Sequence, residues 1–351
     1  MQQHSPCLPI LPPLLKTLYK NHSFMKSICS AGPLFALLAL AACNSQTQEK
    51  DTVVDMPSEE PEVFVVSSEI DQLGEGAFWY GEAKEFWWID IEGKRLYTLD
   101  QGGAKTGYDM PSRIGTVVPD IEGKAIVAIE EGVYRFDRAD QSFAPVAHPQ
   151  EGMEGLRYND GKADPQGRLW VGGVHLDQTP GAASLYRIDP NGASSAWRDG
   201  ITISNGLCWS ADHQTMYYID TPTGAVRAFD YDDASGVIDS GRVVVTIPES
   251  LGFPDGMVID AEGMLWIALW NGNSVTRWNP NTGEMIDQIF VPAHNVTSCA
   301  FVGDQLDTLY ITSSSFDMTE AEQAQYPQAG AVFGVVPGVK GAPMDLFGLA
   351  E

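Results

Sequence analysis

Four short polar motifs occupy matched positions in this sequence, each close to a glycine. They contain Glu75, Asn159, Asn205 and Asp255, and each precedes an aromatic residue of an apolar run by 11 or 12 residues. Carboxylate and amide oxygens are hard ligands of the kind that cations such as calcium prefer. If the motifs belong to one repeated unit, Glu75, Asn205 and Asp255 can together bind a divalent cation.

Each motif taken alone is also typical of a tight turn, because Asn-Gly and Asp-Gly pairs supply the positive φ that hairpins need. Asp160-Gly161 is compatible with such a turn, with Asp160 accepting hydrogen bonds from backbone amides. The shared phase of four motifs favours the cation site over four unrelated turns. Arg157, in the same cluster, suits either a surface ion pair or, facing a channel, an oxygen-rich substrate.

The elements that carry these motifs are short β-strands. Between residues 63 and 351, runs rich in Val, Ile, Trp, Tyr and Phe alternate with Gly, Asp, Asn and Pro, which is an all-β pattern. One strand–turn–strand unit occurs six times, starting at Phe86, Ala125, Arg168, Thr215, Met264 and Thr308. Starts roughly 40 to 50 residues apart are typical of four-stranded propeller blades.

The sequence therefore predicts a six-bladed β-propeller over residues 63–351. We expect the strand near residues 64–66 to pair with the C-terminal blade, which closes the ring and removes free edges. The innermost strands of a propeller line its central channel, so equivalent positions converge near the axis. We interpret the strand Trp and Tyr residues as packing between blades.

The N-terminal segment is predicted to be an export signal. An apolar run at residues 31–42 follows a Lys, and Leu40-Ala41-Ala42-Cys43 is typical of a lipobox in which the Cys is lipidated. We expect residues 1–42 to form the leader, with Met25 as the natural start. Residues 43–62 would then be the lipidated Cys43 and an acidic, flexible tether.

This interpretation predicts an exported bacterial lipoprotein, anchored in a membrane on the periplasmic side. The outer membrane is preferred, because Asn44 is not the Asp that favours retention at the inner membrane. Ordinary signal cleavage with release of the protein is the alternative.

The composition excludes several classes of protein. The chain has 351 residues, 21 Lys and Arg against 47 Asp and Glu, and a net charge of −26, which argues against binding to nucleic acid. Five Cys are too few for a disulfide scaffold. Cys208 and Cys299 remain in the folded part, and we favour buried free thiols over a bridge.

Five longer segments resemble the family that joins senescence marker protein (regucalcin), gluconolactonase and the luciferin-regenerating enzyme. The resemblance runs in order through nearly all of residues 68–350. It is carried by LGEGAFWY at 73–80, LRYNDGKADPQGRLWVGG at 156–173, ISNGLCWSADHQTMYYIDT at 203–221, FPDGMVIDAEGMLWIALWNG at 253–272 and VTSCAFVGDQLDTLYITSS at 296–314.

The resemblance implies one divalent metal in the channel of a six-bladed propeller. Glu75, Asn205 and Asp255 fall on the family's metal-ligand positions, and Asp255 is also the usual candidate for general base. Arg157 and Asn159 fall on its substrate-binding positions. An acidic substrate contact often follows the NDGK strand in the family, and Asp177 is the nearest match here.

Together these observations predict a metal-dependent lactonase that hydrolyses a sugar lactone to the aldonic acid. The metal is calcium, zinc, manganese or iron, and the protein is expected to be a monomer. Hydrolysis of another ester, such as an aryl lactone or a phosphotriester, is the alternative enzyme. A calcium-binding propeller without catalysis is the alternative outside enzymes.

Overall fold

The computed structural model describes residues 61–348, so the predicted leader, Cys43 and most of the predicted tether lie outside these residues. They form six antiparallel sheets, which confirms the predicted six-bladed β-propeller. The described residues contain no helix long and apolar enough to cross a membrane.

The strands follow the chain from blade to blade, except that β1 (Phe64–Ser67) belongs to the last blade. Blade 1 contains β2 (Gly74–Tyr80), β3 (Glu85–Asp90), β4 (Arg95–Asp100) and β5 (Lys105–Asp109). Blade 2 contains β6 (Ile114–Pro119), β7 (Ala125–Ile129), β8 (Gly132–Asp137) and β9 (Ser142–Ala147). Blade 3 contains β10 (Leu156–Ala163), β11 (Leu169–His175), β12 (Ala183–Ile188) and β13 (Ser194–Ile201).

The second half of the ring repeats this order with small additions. Blade 4 contains β14 (Ser204–Trp209), β15 (Thr215–Asp220), β16 (Ala225–Asp232), β17 (Val237–Ile238) and β18 (Arg242–Thr246). Blade 5 contains β19 (Phe253–Ile259), β20 (Leu265–Trp270), β21 (Ser274–Asn279) and β22 (Glu284–Phe290). Blade 6 contains β23 (Asn295–Val302), β24 (Thr308–Ser314) and β25 (Val332–Val335), with helix α1 (Glu320–Gln325) between its last two strands. Two 3₁₀ turns cover Thr221–Thr223 and Glu249–Leu251.

The ring closes as predicted, through the N-terminal strand. β1 pairs antiparallel with β25, and Val65 lies opposite Phe333. The fourth strand of blade 6 therefore comes from the start of the folded chain, and the last blade holds both ends of the ring together.

The core lies within and between the blades. The second strands are buried on both faces, and the large aromatic residues Trp87, Trp88, Trp170 and Trp266 are fully buried, which confirms their interpretation as packing residues. Cys208 and Cys299 are buried free thiols. The outermost strands, such as β22, expose most of their residues, because only their inner face has a sheet to pack on.

An aspartate at the end of several inner strands holds the turn that follows. Asp260 Oδ1 accepts hydrogen bonds from the backbone N–H groups of Glu262 and Met264, at 2.9 Å each. Its Oδ2 accepts from Trp266 Nε1 at 3.0 Å and from Arg277 Nε at 2.8 Å. One buried carboxylate thus joins three strands of blade 5. Asp164 at the end of β10 accepts from Arg168 and Trp170 of blade 3 and from the Tyr231 hydroxyl of blade 4, so it joins two blades.

Residues 340–348 cross one mouth of the channel. Residues 340–342 bond to blades 5 and 6, through Ala261 N–H to Lys340 O and Gly341 N–H to Leu306 O. Six residues later, Phe347 and Gly348 bond to blades 2 and 3. This C-terminal strap, residues 340–348, lies where the inner strands end. We call the other end of the ring, where the inner strands begin, the entry face.

Asp260→Ala is expected to lower the free energy of unfolding by about 3–5 kcal/mol, because it leaves a buried guanidinium and an indole N–H without their partner. Denaturant unfolding followed by tryptophan fluorescence measures this change. Asp140→Ala is the control, since Asp140 also binds a turn amide, that of Ser142, but is exposed. Equal small losses in both variants would contradict the anchoring role.

Candidate active site

All six inner strands contain a β-bulge near their first residues. The register with the second strand shifts at the same place in β2, β6, β10, β14, β19 and β23. The residues at or beside these bulges are Glu75, Gly115, Asn159, Asn205, Asp255 and Thr297. Because a bulge re-aims side chains, the five residues other than Gly115 place polar groups around the channel.

The hairpin-turn alternative is wrong for all four predicted motifs, since each lies inside an inner strand. Two of the adjacent glycines, Gly206 and Gly256, allow close approach between blades instead. A Cβ on Gly206 would lie 2.6 Å from the Cβ of Met257 on the next inner strand, and one on Gly256 would lie 2.8 Å from Thr297 O.

A continuous chain of hydrogen bonds crosses blades 3, 4 and 5 at the entry face. Arg157 Nη1 donates to Asn159 Oδ1 at 2.6 Å, and Asn159 Nδ2 donates to Asn205 Oδ1 at 2.9 Å. Asn205 Nδ2 then donates to Thr221 Oγ1 at 2.7 Å, and Thr221 donates to Pro254 O at 2.8 Å. The chain fixes the orientation of both amides and ends at the residue before Asp255.

Three carboxyl groups are buried beside this chain: Glu75, Asp160 and Asp255. Burial, followed by the charge of Asp160, raises the pKa of Glu75 to about 8. Burial, followed by the charges of Glu75 and Asp160, raises the pKa of Asp255 well above its usual range. The charge of Asp160 therefore makes both Glu75 and Asp255 harder to ionise, and the charge of Glu75 has the same effect on Asp255.

These groups fit a hard divalent cation. All donors are oxygens, and a cation would compensate the carboxylate charges that otherwise repel one another. Within residues 61–348, no three His, Cys, Asp or Glu side chains converge as a metal-binding group. The predicted cation site of Glu75, Asn205 and Asp255 therefore needs Asn205 as its third ligand. Asn205 Oδ1 accepts one hydrogen bond from the protein and keeps a second lone pair for a cation.

The predicted substrate residues have different surroundings. Arg157 is half-buried on β10 and, within residues 61–348, hydrogen-bonds only through Nη1, so Nε and Nη2 are available to a ligand. Asp177 lies on an exposed turn after β11, where its backbone N–H donates to His175 Nδ1 at 3.2 Å. No hydrogen bond or ion pair in this part of the chain joins the Asp177 carboxylate to Arg157 or Asn159, and its role stays a prediction.

Two site residues were missed by the sequence reasoning. Asp160, interpreted as a possible turn residue, faces the buried carboxyl cluster, although its Oδ1 does accept from the Gly161 N–H at 2.8 Å. Thr221 joins Asn205 to blade 5. The repeat phase pointed to Asp160, one residue from Asn159, but nothing in the sequence pointed to Thr221, because its contacts cross between blades.

The fold and the site define a six-bladed propeller with an oxygen-rich site on its inner-strand bulges. A family model described as "SMP-30/Gluconolactonase/LRE-like region" matches residues 73–315. The chain belongs to this family, as the motifs predicted.

Individual proteins agree with this assignment. YvrE of Bacillus subtilis (strain 168), named as a candidate sugar lactone lactonase, is 37% identical over 262 residues, 74% of this chain and 90% of that protein. A luciferin-regenerating enzyme structure has a TM-score of 0.78 and 29% identity, covering 82% of this chain and 100% of that one. Regucalcin of Agrobacterium tumefaciens, described as a calcium-binding protein, has a TM-score of 0.77 and 28% identity over 81% and 97% of the two chains.

In protein stripped of metal, stability is expected to fall as pH rises from about 4.5 towards 8. The pKa of Glu75 is raised from 4.5 to about 8 in the folded state, so the stability that its protonated form contributes is complete below the unfolded-state pKa and is lost as the pH passes through the folded-state pKa. The loss is at most about 1.4 kcal/mol per pH unit for one group.

Denaturant unfolding at several pH values measures this dependence in the wild type and in Glu75→Gln, where the slope should flatten. Adding a divalent cation should also reduce the loss at pH 8. An unchanged slope in Glu75→Gln would contradict the assignment to Glu75.

Proposed function

We propose that this protein hydrolyses a sugar lactone to the corresponding aldonic acid with the help of one bound divalent cation. The observation that carries the proposal is the hydrogen-bond chain at the entry face, which runs from Arg157 through Asn159, Asn205 and Thr221 to the carbonyl of Pro254. It ends next to Asp255, which is buried and within the electrostatic reach of Glu75. Membership of the gluconolactonase-like family supports a hydrolase of the lactonase type.

Glu75, Asn205 and Asp255 would hold the cation. When bound, it would supply Lewis-acid stabilisation of the negative charge that develops on the carbonyl oxygen. Calcium is the first choice to test, since the ligand oxygens are hard and the related regucalcin is described as calcium-binding.

Asp255 is the proposed general base. Its carboxylate takes a proton from the water that attacks the carbonyl carbon, and the same proton goes to the ring oxygen when the ring C–O bond breaks. The carboxylate has two oxygens, so one can bind the cation while the other accepts the proton. The product is the open-chain hydroxy acid.

Arg157 and Asn159 would position the substrate. The unused Nε and Nη2 of Arg157 donate to ring and hydroxyl oxygens, while its bond to Asn159 Oδ1 holds the guanidinium in place. Asn159 Nδ2 is already shared between Ser204 O at 2.6 Å and Asn205 Oδ1 at 2.9 Å. Asn159 therefore mainly connects substrate binding to the cation site.

A second candidate substrate is a lactone that carries an apolar or aryl group. Met153 and Leu176 are each half-exposed on the entry-face segments of blade 3 that flank Arg157. Leu176 N–H donates to Gly155 O at 2.7 Å, so the two segments are joined. They would offer an apolar surface beside the site.

Export, lipid anchoring at Cys43 and a monomeric state belong to the same proposal. The leader pattern supports the first two, and the closed ring with its six complete sheets supports the third. Labelling of the protein with a palmitate analogue in a bacterial host, with Cys43→Ala as the control, tests the anchor.

Asp255→Asn is expected to reduce the turnover of aldonolactones by about 10²–10⁴-fold, the usual contribution of a general base. Acid release from a panel of sugar and aryl lactones, with calcium, zinc, manganese or iron restored to stripped protein, gives the measurement. Asp140→Asn makes the same chemical change at an exposed turn of blade 2 and should keep full activity. Full turnover by Asp255→Asn would contradict the proposal, and preference for aryl lactones would favour the second candidate.

A further inference from the structure

Blade 2 differs from its neighbours at the entry face. Its inner strand β6 lies between β2 and β10, which carry Glu75 and Arg157, yet its bulge residue is Gly115 and offers no side chain. A Cβ there would lie 2.2 Å from Tyr158 O, so the close approach of β10 requires glycine. Any polar group that this blade adds to the site must come from its loops.

Such groups are present in an ion-pair trio directly above β6. Arg113, the residue before β6, donates from Nε to both carboxylate oxygens of Glu92, at 2.9 and 3.0 Å. Its Nη1 donates to Glu130 Oε1 at 2.9 Å. Glu92 comes from the β3–β4 turn of blade 1 and Glu130 from the β7–β8 turn of blade 2, so all three residues lie at the entry face.

Ser112, the residue before Arg113, helps to hold the trio in place. Ser112 is buried, its Oγ accepts from the Glu130 N–H at 3.1 Å, and it also contacts the Glu131 carboxylate. The side chains of Glu92 and Glu130 are nevertheless 20% and 32% exposed. Each carboxylate therefore keeps lone pairs that a ligand can reach.

The trio also lies near the predicted substrate residue, because Arg113 directly precedes β6, and β10, which carries Arg157, is the neighbouring inner strand. The charges of Glu92, Glu75, Arg113 and Glu130 all act on the Arg157 guanidinium, although burial is the larger effect and lowers its pKa. Such an arrangement suits a polyol, whose hydroxyl groups both donate and accept hydrogen bonds. The carboxylates accept from the hydroxyl groups, and the guanidinium donates to their oxygens.

We propose that Glu92 and Glu130, positioned by Arg113, bind the hydroxyl groups of the substrate and set its specificity for a polyhydroxylated ring. This role is the one that the family resemblance implied for Asp177, which lies on an exposed turn of blade 3. The inference rests on the proposed function for its substrate class, but not on the hydrolytic step.

The test compares wild type with the double variant Glu92→Gln/Glu130→Gln on two lactones of one ring size, glucono-δ-lactone and δ-valerolactone, which lacks hydroxyl groups. KM for glucono-δ-lactone should rise about 10-fold, which corresponds to about 1.4 kcal/mol, with kcat within about twofold. KM for δ-valerolactone should stay unchanged. Glu284→Gln, an exposed residue of β22, is the control and should change neither.

Binding of 1,5-anhydroglucitol, a cyclic polyol with no bond to hydrolyse, gives a readout that does not depend on turnover. Its Kd, measured by calorimetry, should also rise about 10-fold in the double variant. If wild type binds this polyol but opens no lactone, the proposed reaction fails while the recognition role is still measured.

Three results would overturn the inference. One is no detectable polyol binding by wild type. Another is an equal rise in KM for both lactones together with a lower melting temperature, which would mean that the trio only clamps blades 1 and 2. The third is a selective rise in KM for glucono-δ-lactone in Asp177→Asn but not in the double variant.

Discussion

Close approach of the inner strands is the constraint on which this molecule depends. Six sheets form a closed ring only if each inner strand lies against the next, and the glycines at or beside the bulges make this distance possible. Gly115 faces Tyr158 O and Gly206 faces the Cβ of Met257, at separations where no side chain fits. The same bulges turn Glu75 and Asp255 towards the axis. The geometry that closes the ring is therefore also the geometry that assembles the polar site.

This arrangement concentrates negative charge where water is scarce. The charge of Asp160 raises the pKa values of Glu75 and Asp255, and the charge of Glu75 also raises that of Asp255. Few cationic groups oppose this effect: Arg157 beside the cluster and Lys162 further along β10. Such repulsion strengthens cation binding, because a bound cation cancels the repulsion between the carboxylates and this relief adds to the free energy of binding. The hydrogen-bond chain from Arg157 to Pro254 also favours cation binding. It fixes the side-chain amides of Asn159 and Asn205, so that neither amide rotates to exchange its oxygen and its NH₂ group.

The sequence predicted the fold well because a propeller repeats one local pattern. The six strand–turn–strand units begin within one residue of the observed second strands, and the pairing of Val65 with the last blade follows from the need to close the ring. The phase of the motifs also predicted that Glu75, Asn205 and Asp255 occupy equivalent positions on their inner strands. It could not locate Thr221, or the trio of Arg113 with Glu92 and Glu130, because these contacts join different blades and have no counterpart in the repeat. Side-chain roles that arise between repeats are not visible in any single repeat.

Joining the first and last strands of the propeller in one blade has a kinetic consequence. Ser315 Oγ donates to the carbonyl of Asp71, 244 residues earlier, and the C-terminal strap completes the mouth only with residues 340–348. Contacts so distant in sequence carry a large loop-closure entropy and slow the folding of β-proteins. A nascent chain would therefore expose unpaired strand edges until β25 was made, and a truncation that removes β25 would leave an open, aggregation-prone ring.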